Sequence, residues 1–174
     1  SVRNECKELL FVVEREADGR EPSVRCINFG LDGMQSFSFT LEEERSAVLV
    51  PAGQVGTYLY EPNASVLKAG AFKQIAVRTG VKKLQVNSHL YTADHLVSDF
   101  PGRRFRVDEV LSFTGKLCKG LSKTIPQANI TVRNFPLSVE ELRKRTKITD
   151  GGHVYLFATT LVDGEKVLVK CSKA

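Results

Sequence analysis

Five consecutive apolar residues, Leu9-Leu10-Phe11-Val12-Val13, stand near the start of the chain. An unbroken run of that kind predicts a strand covered on both faces. A polar turn over Arg15-Glu16-Ala17-Asp18-Gly19-Arg20 leads to a second strand at about residues 23–29. Ser36-Phe37-Ser38-Phe39-Thr40 alternates strictly, the pattern of a half-buried strand. Between these two, Gly30-Leu31-Asp32-Gly33 supplies turn chemistry. Residues 6–49 therefore read as antiparallel β, with Glu42-Glu43-Glu44-Arg45 an exposed acidic patch and Pro51-Ala52-Gly53 a break.

The pattern then changes period. Thr57-Tyr58-Leu59-Tyr60 is a short strand running into Glu61-Pro62-Asn63. Asn63 is a good N-cap for a helix over 64–79 that Gly80 ends. Val66, Leu67, Gly70, Ala71, Ile75 and Ala76 fall mostly at helical spacing and should face a core. Lys68, Lys73 and Arg78 are left for the outer face. Lys83-Leu84-Gln85-Val86 leads into ordered irregular structure at 87–92, and Asp99-Phe100-Pro101-Gly102 is the turn at which a boundary is expected.

Residues 103–174 read as β-α-β-α-β-β. The strands fall at 104–113, 128–134, 154–161 and 166–171, and a short helix at 116–122. Ser138-Val139-Glu140-Glu141 is a capping box that starts the second helix, with Leu142 inward and Arg143, Lys144 and Arg145 outward. Asp163-Gly164 marks a hairpin. The expected fold class is α+β, with helices packed on one face of a small sheet.

Composition adds limits. The chain has 174 residues, 42% hydrophobic and 26% charged, within the range of folded globular domains. No apolar run approaches the roughly 18 residues of a membrane-crossing helix, and the polar opening Ser1-Val2-Arg3-Asn4-Glu5 is unlike a secretory signal. Starting at Ser1 with no initiator Met, the chain reads as the cut end of a longer protein. Cys6, Cys26, Cys118 and Cys171 stand singly, with neither disulfide nor zinc spacing around them or around His89, His95 and His153. Buried free thiols in a reducing cytoplasm are the expectation, and no metal.

Charge is uneven. Residues 1–99 hold 11 Lys/Arg and 13 Asp/Glu, a net of −2; residues 100–174 hold 14 and 7, a net of +7. Such asymmetry separates a scaffold from a polyanion-binding part. The candidate nucleic-acid-binding residues are Arg103, Arg104, Arg106, Lys116, Lys119, Arg143, Lys144, Arg145 and Lys147. Alternation along the strand puts Arg104 and Arg106 on one face and Phe105 on the other, giving forked donors for phosphates.

Catalytic motifs are not found: no G-x-G-x-x-G follows a strand, and there is no P-loop and no G-x-S-x-G elbow. Asp94-His95 and Ser88-His89 are sequence neighbours that point apart, not a triad. Glu61, Asn63 and Lys68 are candidate ligand or domain-interface residues, although capping accounts for Asn63.

Three stretches carry a resemblance. They are Ser1-Val2-Arg3-Asn4-Glu5-Cys6-Lys7-Glu8-Leu9-Leu10; Tyr58-Leu59-Tyr60-Glu61-Pro62-Asn63-Ala64 with Lys68-Ala69-Gly70-Ala71-Phe72; and Phe100-Pro101-Gly102-Arg103 with Arg133-Asn134-Phe135-Pro136. Taken as a set, they resemble the C-terminal half of a bacterial family assigned as class I S-adenosylmethionine-dependent methyltransferases.

The resemblance implies three parts. Residues 1–50 would correspond to terminal antiparallel strands of a Rossmann-like methyltransferase sheet, 51–99 to a ferredoxin-like unit and 100–174 to a THUMP-like domain. It implies S-adenosylmethionine for the parent enzyme, with no cofactor and no catalytic residue in this chain. The expected partners are a structured RNA and the missing methyltransferase domain in cis, with a homo-oligomer as a further option and no membrane. The rival reading is a protein-interaction or scaffold module whose basic patch meets an acidic surface such as Glu42-Glu43-Glu44.

Overall fold

The computed structural model describes residues 1–15, 19, 21–31 and 33–174. Strands β1 (Ser23–Gly30) and β2 (Gly33–Thr40) form an antiparallel two-stranded sheet with Cys26 opposite Phe37. The expected turns over 15–20 and 30–33 include residues 16–18, 20 and 32, which lie outside the described residues. A seven-stranded sheet contains β3 (Tyr58–Pro62), β4 (Lys82–Lys83), β5 (Tyr91–Ala93), β6 (Gly102–Ser112), β7 (Asn129–Arg133), β8 (Tyr155–Thr160) and β9 (Lys166–Lys173). Its spatial order is β4-β5-β3-β6-β9-β8-β7, antiparallel throughout except for β7 with β8. The helices are α1 (Leu41–Ser46), α2 (Ala64–Ala69), α3 (Gln74–Thr79), α4 (Gly115–Thr124) and α5 (Val139–Thr146). Among the described residues no helix is long and apolar enough to cross a membrane.

The architecture is α+β, and beyond residue 101 the elements run β-α-β-α-β-β as expected. Helices occupy one face of the long sheet. Tyr60 and Tyr91 on that face meet Val66 and Ile75 of the α2–α3 layer, together with Cys26, Phe37 and Phe39 of the hairpin. Further along the same face, Leu156, Ala158 and Leu168 meet Leu121 of α4 and Leu142 of α5. The opposite face carries Leu59, Phe105, Phe157, Val167 and Val169, packed with Leu84, Leu90 and Ala52.

That second face is closed by curvature. In a flat sheet β3 and β7, four places apart, would stand about 19 Å apart. Instead Arg133, the last residue of β7, donates from Nη2 to Glu61 Oε1 of β3 at 2.8 Å, and Asn134 Nδ2 reaches Gln85 Oε1 at 3.0 Å. Phe105 of β6 lies 4.9 Å, ring centre to ring centre, from both Tyr155 and Phe157 of β8. The sheet has rolled over its own apolar face.

Three expectations fail for identifiable reasons. Leu9–Val13 is not a strand: its residues pair with nothing among the described residues and are 63–90% exposed. The edge of β1 that could have received them is taken at Phe29, which donates to Ser1 O at 2.9 Å and accepts from Arg3 N at 2.8 Å.

The helix over 64–79 is two helices. Gly70 adopts φ 76° and donates to Val66 O and Leu67 O, ending α2 with the left-handed cap that glycine allows. Gly80 ends α3 in the same way at φ 71°. Nor is Glu42-Glu43-Glu44-Arg45 a free acidic surface. It belongs to α1, opened by a capping box between Thr40 and Glu43. Glu44 accepts from the backbone N–H groups of Lys73 and Gln74, serving α3 in place of a side-chain cap of its own, and Glu43 pairs with Arg78.

The thiols are free; Cys26, Cys118 and Cys171 are buried as expected, whereas Cys6 is only partly covered. Burial pushes Cys26 up to about 11 and Cys171 up to about 12, so both stay protonated.

Candidate nucleic-acid interface

Two short helices carry most of the exposed predicted cations. The α4 segment starts because the Thr114 hydroxyl accepts from Leu117 N at 3.1 Å. Its apolar positions, Cys118 and Leu121, turn inward to the sheet, leaving Lys116, Lys119 and Lys123 outside at spacings of three and four, along one stripe of the helix.

The α5 segment starts with the expected capping box: the Ser138 hydroxyl accepts from Glu141 N at 3.2 Å, and the Glu141 carboxylate accepts from Ser138 N at 2.8 Å. Those backbone N–H contacts hold the Glu141 carboxyl below the ordinary range, and Glu140 shifts in the same direction by bonding its own backbone N–H. Leu142 and Thr146 are buried, while Lys144, Arg145 and Lys147 face out. α4 and α5 pack together through Leu121 and Leu142. Between them lies a cavity of about 210 Å³ lined by Phe113, Gly115, Cys118, Lys119 and Arg145. Burial raises the Cys118 thiol above its ordinary value, so it enters the lining as a neutral group.

The predicted cations divide into two sets. Lys116, Lys119, Lys144, Arg145 and Lys147 are exposed, and none reaches a carboxylate among the described residues. The four arginines outside this set are engaged. Arg103 bonds Glu61 through Nε, at 2.8 Å, and Nη2. Arg104 donates to Ser98 O. Arg106 stands 3.7 Å from Asp108. Arg143, expected outward, folds back onto Ile148 O and Ala128 O at 3.2 Å each and onto the Asp150 carboxylate, closing the loop after α5. Arg104 and Arg106 do share the face opposite Phe105, but an irregularity in the β6–β9 pairing between Val107 and Glu109 leaves Asp108 beside Arg106. The predicted cations with no ion pair among the described residues and no side-chain hydrogen bond are thus Lys116 and Lys119 of α4, Lys144 and Arg145 of α5, and Lys147, the residue that ends α5.

The remaining candidates sit elsewhere. Glu61 is 1% exposed and holds Arg103 of β6 and Arg133 of β7. Asn63 caps α2: its Oδ1 accepts from Val66 N at 3.2 Å and its Nδ2 donates to Gln35 at 3.0 Å. Lys68 is exposed on α2. The Arg133 contact escaped sequence reasoning, as did the cavity residues Phe113 and Gly115. A usable signal for the cavity was the N-cap pair Thr114-Gly115 placed just before the Lys116, Lys119, Lys123 stripe.

Comparison with known proteins defines the two units of the long sheet. Residues 58–101 match a family model described as a ferredoxin-like domain, and residues 102–173 match one described as THUMP domain-like. The two matches meet at Gly102, the first residue of β6. The chain is also similar to a solved structure from Porphyromonas gingivalis W83, described as a "putative methyltransferase", at 47% identity and a TM-score of 0.84. The similarity covers 87% of this chain and 38% of that one, so this chain spans well under half of the solved protein. No curated protein matches the chain.

Proposed function

We propose that this chain is the RNA-recognition region of an S-adenosylmethionine-dependent RNA methyltransferase. The α4–α5 face docks on substrate phosphates and presents a base to a catalytic domain carried elsewhere in the same polypeptide. The observation that carries the reading is the set of free cations on α4 and α5 of a unit similar to THUMP domains. Phosphate contacts of this kind give affinity and position without reading sequence. The methyltransferase description of the similar structure supports the second half of the reading.

The residues present do not fit the methyl donor. Its nucleoside would need a glycine-rich turn after a parallel strand. In the parallel pair β7–β8 the turn that follows β7, Asn134-Phe135-Pro136-Leu137-Ser138, has no glycine, and its Ser138 is committed to capping α5. No catalytic step is assigned to this chain. The exposed apolar run Leu9–Val13 is the segment that a preceding sheet would cover. The three buried thiols fit a reducing compartment, and we place the protein in the cytoplasm.

A salt titration of RNA binding tests the reading. The logarithm of affinity should fall steeply with the logarithm of salt, and Lys116→Ala with Lys144→Ala should make the slope shallower by about two. Unchanged slope in the double variant rejects the interface. In parallel, calorimetry with S-adenosylmethionine should give no binding heat, and saturable binding to this chain would reject the assignment of the cofactor to another domain.

A further inference from the structure

The cavity between α4 and α5 differs in kind from the charged surface around it. A phosphate-binding face needs donors but no depth, yet here the cations flank a recess of about 210 Å³. That is below the roughly 300–1,000 Å³ of pockets that hold drug-sized ligands, so it suits one ring system.

Its wall is apolar. Phe113 contributes an aromatic ring, held by a T-shaped contact with Phe135 at 4.9 Å and 79°, and Cys118 contributes a buried thiol. Lys119 and Arg145 line the same recess from the two helices, with no carboxylate paired to either among the described residues. Gly115 leaves open space above the first turn of α4: no atom lies within 4 Å of where a Cβ would stand. An aromatic wall next to two phosphate-binding cations is the combination that takes a nucleotide whose base has left its stack.

We infer that this cavity is a base pocket, seating one unpaired RNA nucleobase against Phe113 while Lys119 and Arg145 hold the adjoining phosphates. The inference rests on the RNA-recognition reading above and adds the class of RNA, one with an unpaired nucleotide. Arg145 and Lys119 act here as positioning groups; discrimination between base and no base comes from the ring.

The test compares two labelled strands of equal phosphate count, one an ordinary single-stranded RNA and one without bases, binding to the whole chain at low salt. The ordinary strand should bind about tenfold more tightly, as expected for one base stacked on an aromatic ring. Gly115→Leu fills the recess at a position with room for a side chain and replaces glycine in a helix by a better helix former, so it should fold at least as well. It should abolish the tenfold difference and leave the strand without bases unaffected. Gly115→Met serves as a second plug of the same recess. Lys119→Gln should weaken both strands by the same factor.

Equal binding of the two strands by the unaltered chain overturns the pocket while leaving phosphate docking in place. So does a base preference that survives both plugs. If neither strand binds, the RNA-recognition reading falls and takes the pocket with it. Displacement of the RNA strand by polyglutamate of equal charge overturns the inference in favour of an acidic protein partner.

Discussion

Glu61 illustrates how a single buried carboxylate can join distant parts of a chain. Its two oxygens take Arg103 from β6 and Arg133 from β7, partners 42 and 72 residues away. One residue further along β3, Pro62 lies opposite Gly102, and a Cβ on Gly102 would collide with the Glu61 carbonyl oxygen, Pro62 Cα and the Phe100 ring. Two of those obstacles are backbone, which cannot rotate away. Gly102→Ala should therefore destabilise the protein by a few kcal/mol, about 3 as an order of magnitude. A urea midpoint at unchanged m-value reads it, and a loss below about 1 kcal/mol would show that β3 and β6 can separate freely there. At this scale sequence reasoning succeeds where the partner is near. The Ser138–Glu141 box and the Asn63 cap each close over three residues, and both form as read. Glu61 was visible as a candidate but its partners were not, because only the rolled sheet brings Arg133 to it. Arg143 misled for the same reason: helical periodicity puts it outside, and the loop carbonyls it serves come from Ala128 and Ile148.

The segment from β4 to β5 shows the same logic for a whole element. Lys83, 2% exposed, donates to Val86 O at 2.5 Å, approaches His89 Nδ1 at 3.2 Å and lies 5.0 Å above the Phe72 ring. His89 stacks on Phe72 at 3.9 Å with its backbone at φ 50°. Burial, together with the charges of Lys83 and Arg133, lowers His89 to about 4, and burial lowers Lys83 to about 8. The sign follows from proton counts. Between about 6.5 and about 4 the unfolded chain takes up a proton on His89 that the folded chain refuses. Stability contributed here is thus complete above pH 6.5 and falls as the solution is acidified. His89→Asn keeps a residue that tolerates the left-handed backbone and removes the imidazole. Urea midpoints at pH 7 and 4.5 should fall less in this variant than in the parent, and an equal fall would exclude His89 as the source. Residues 87–92 read as irregular from sequence because Asn87 and Ser88 break any alternation; that Tyr91–Ala93 nevertheless pairs with β3 depends on neighbours no local pattern reveals. α4 and α5 were legible because their caps and apolar spacing are local, and Gly70 was misread as an interior helical position because a glycine serves within a helix or at its end.

Across the whole molecule the fold is a rolled seven-stranded sheet with the helices and the β1–β2 hairpin on its convex side, the unpaired cations of α4 and α5 at one end and an uncovered apolar segment near the start of the chain. The expected strand at Leu9–Val13 was a sound reading of composition, since five apolar residues do need cover; what failed was the supply of an edge to pair with. Leu10→Lys with Val12→Lys should accordingly shift the unfolding free energy of this chain by no more than about 0.5 kcal/mol, the scale of ordinary surface substitutions. A thermal melt checks it, and a clear loss would mean that the segment packs against the body in solution.

The order of strands in that sheet also bears on how the molecule is made. β9 lies between β6 and β8, and it follows the other eight strands in chain order. While a ribosome is still producing the chain, β3 and β6 can already pair, but β8 has no route into their sheet until Lys166–Lys173 emerges to bridge them. The α4–α5 face therefore gains its fixed attachment to the rest of the sheet only after translation has passed β9, so the two halves of the sheet cannot join while that strand is still inside the ribosome.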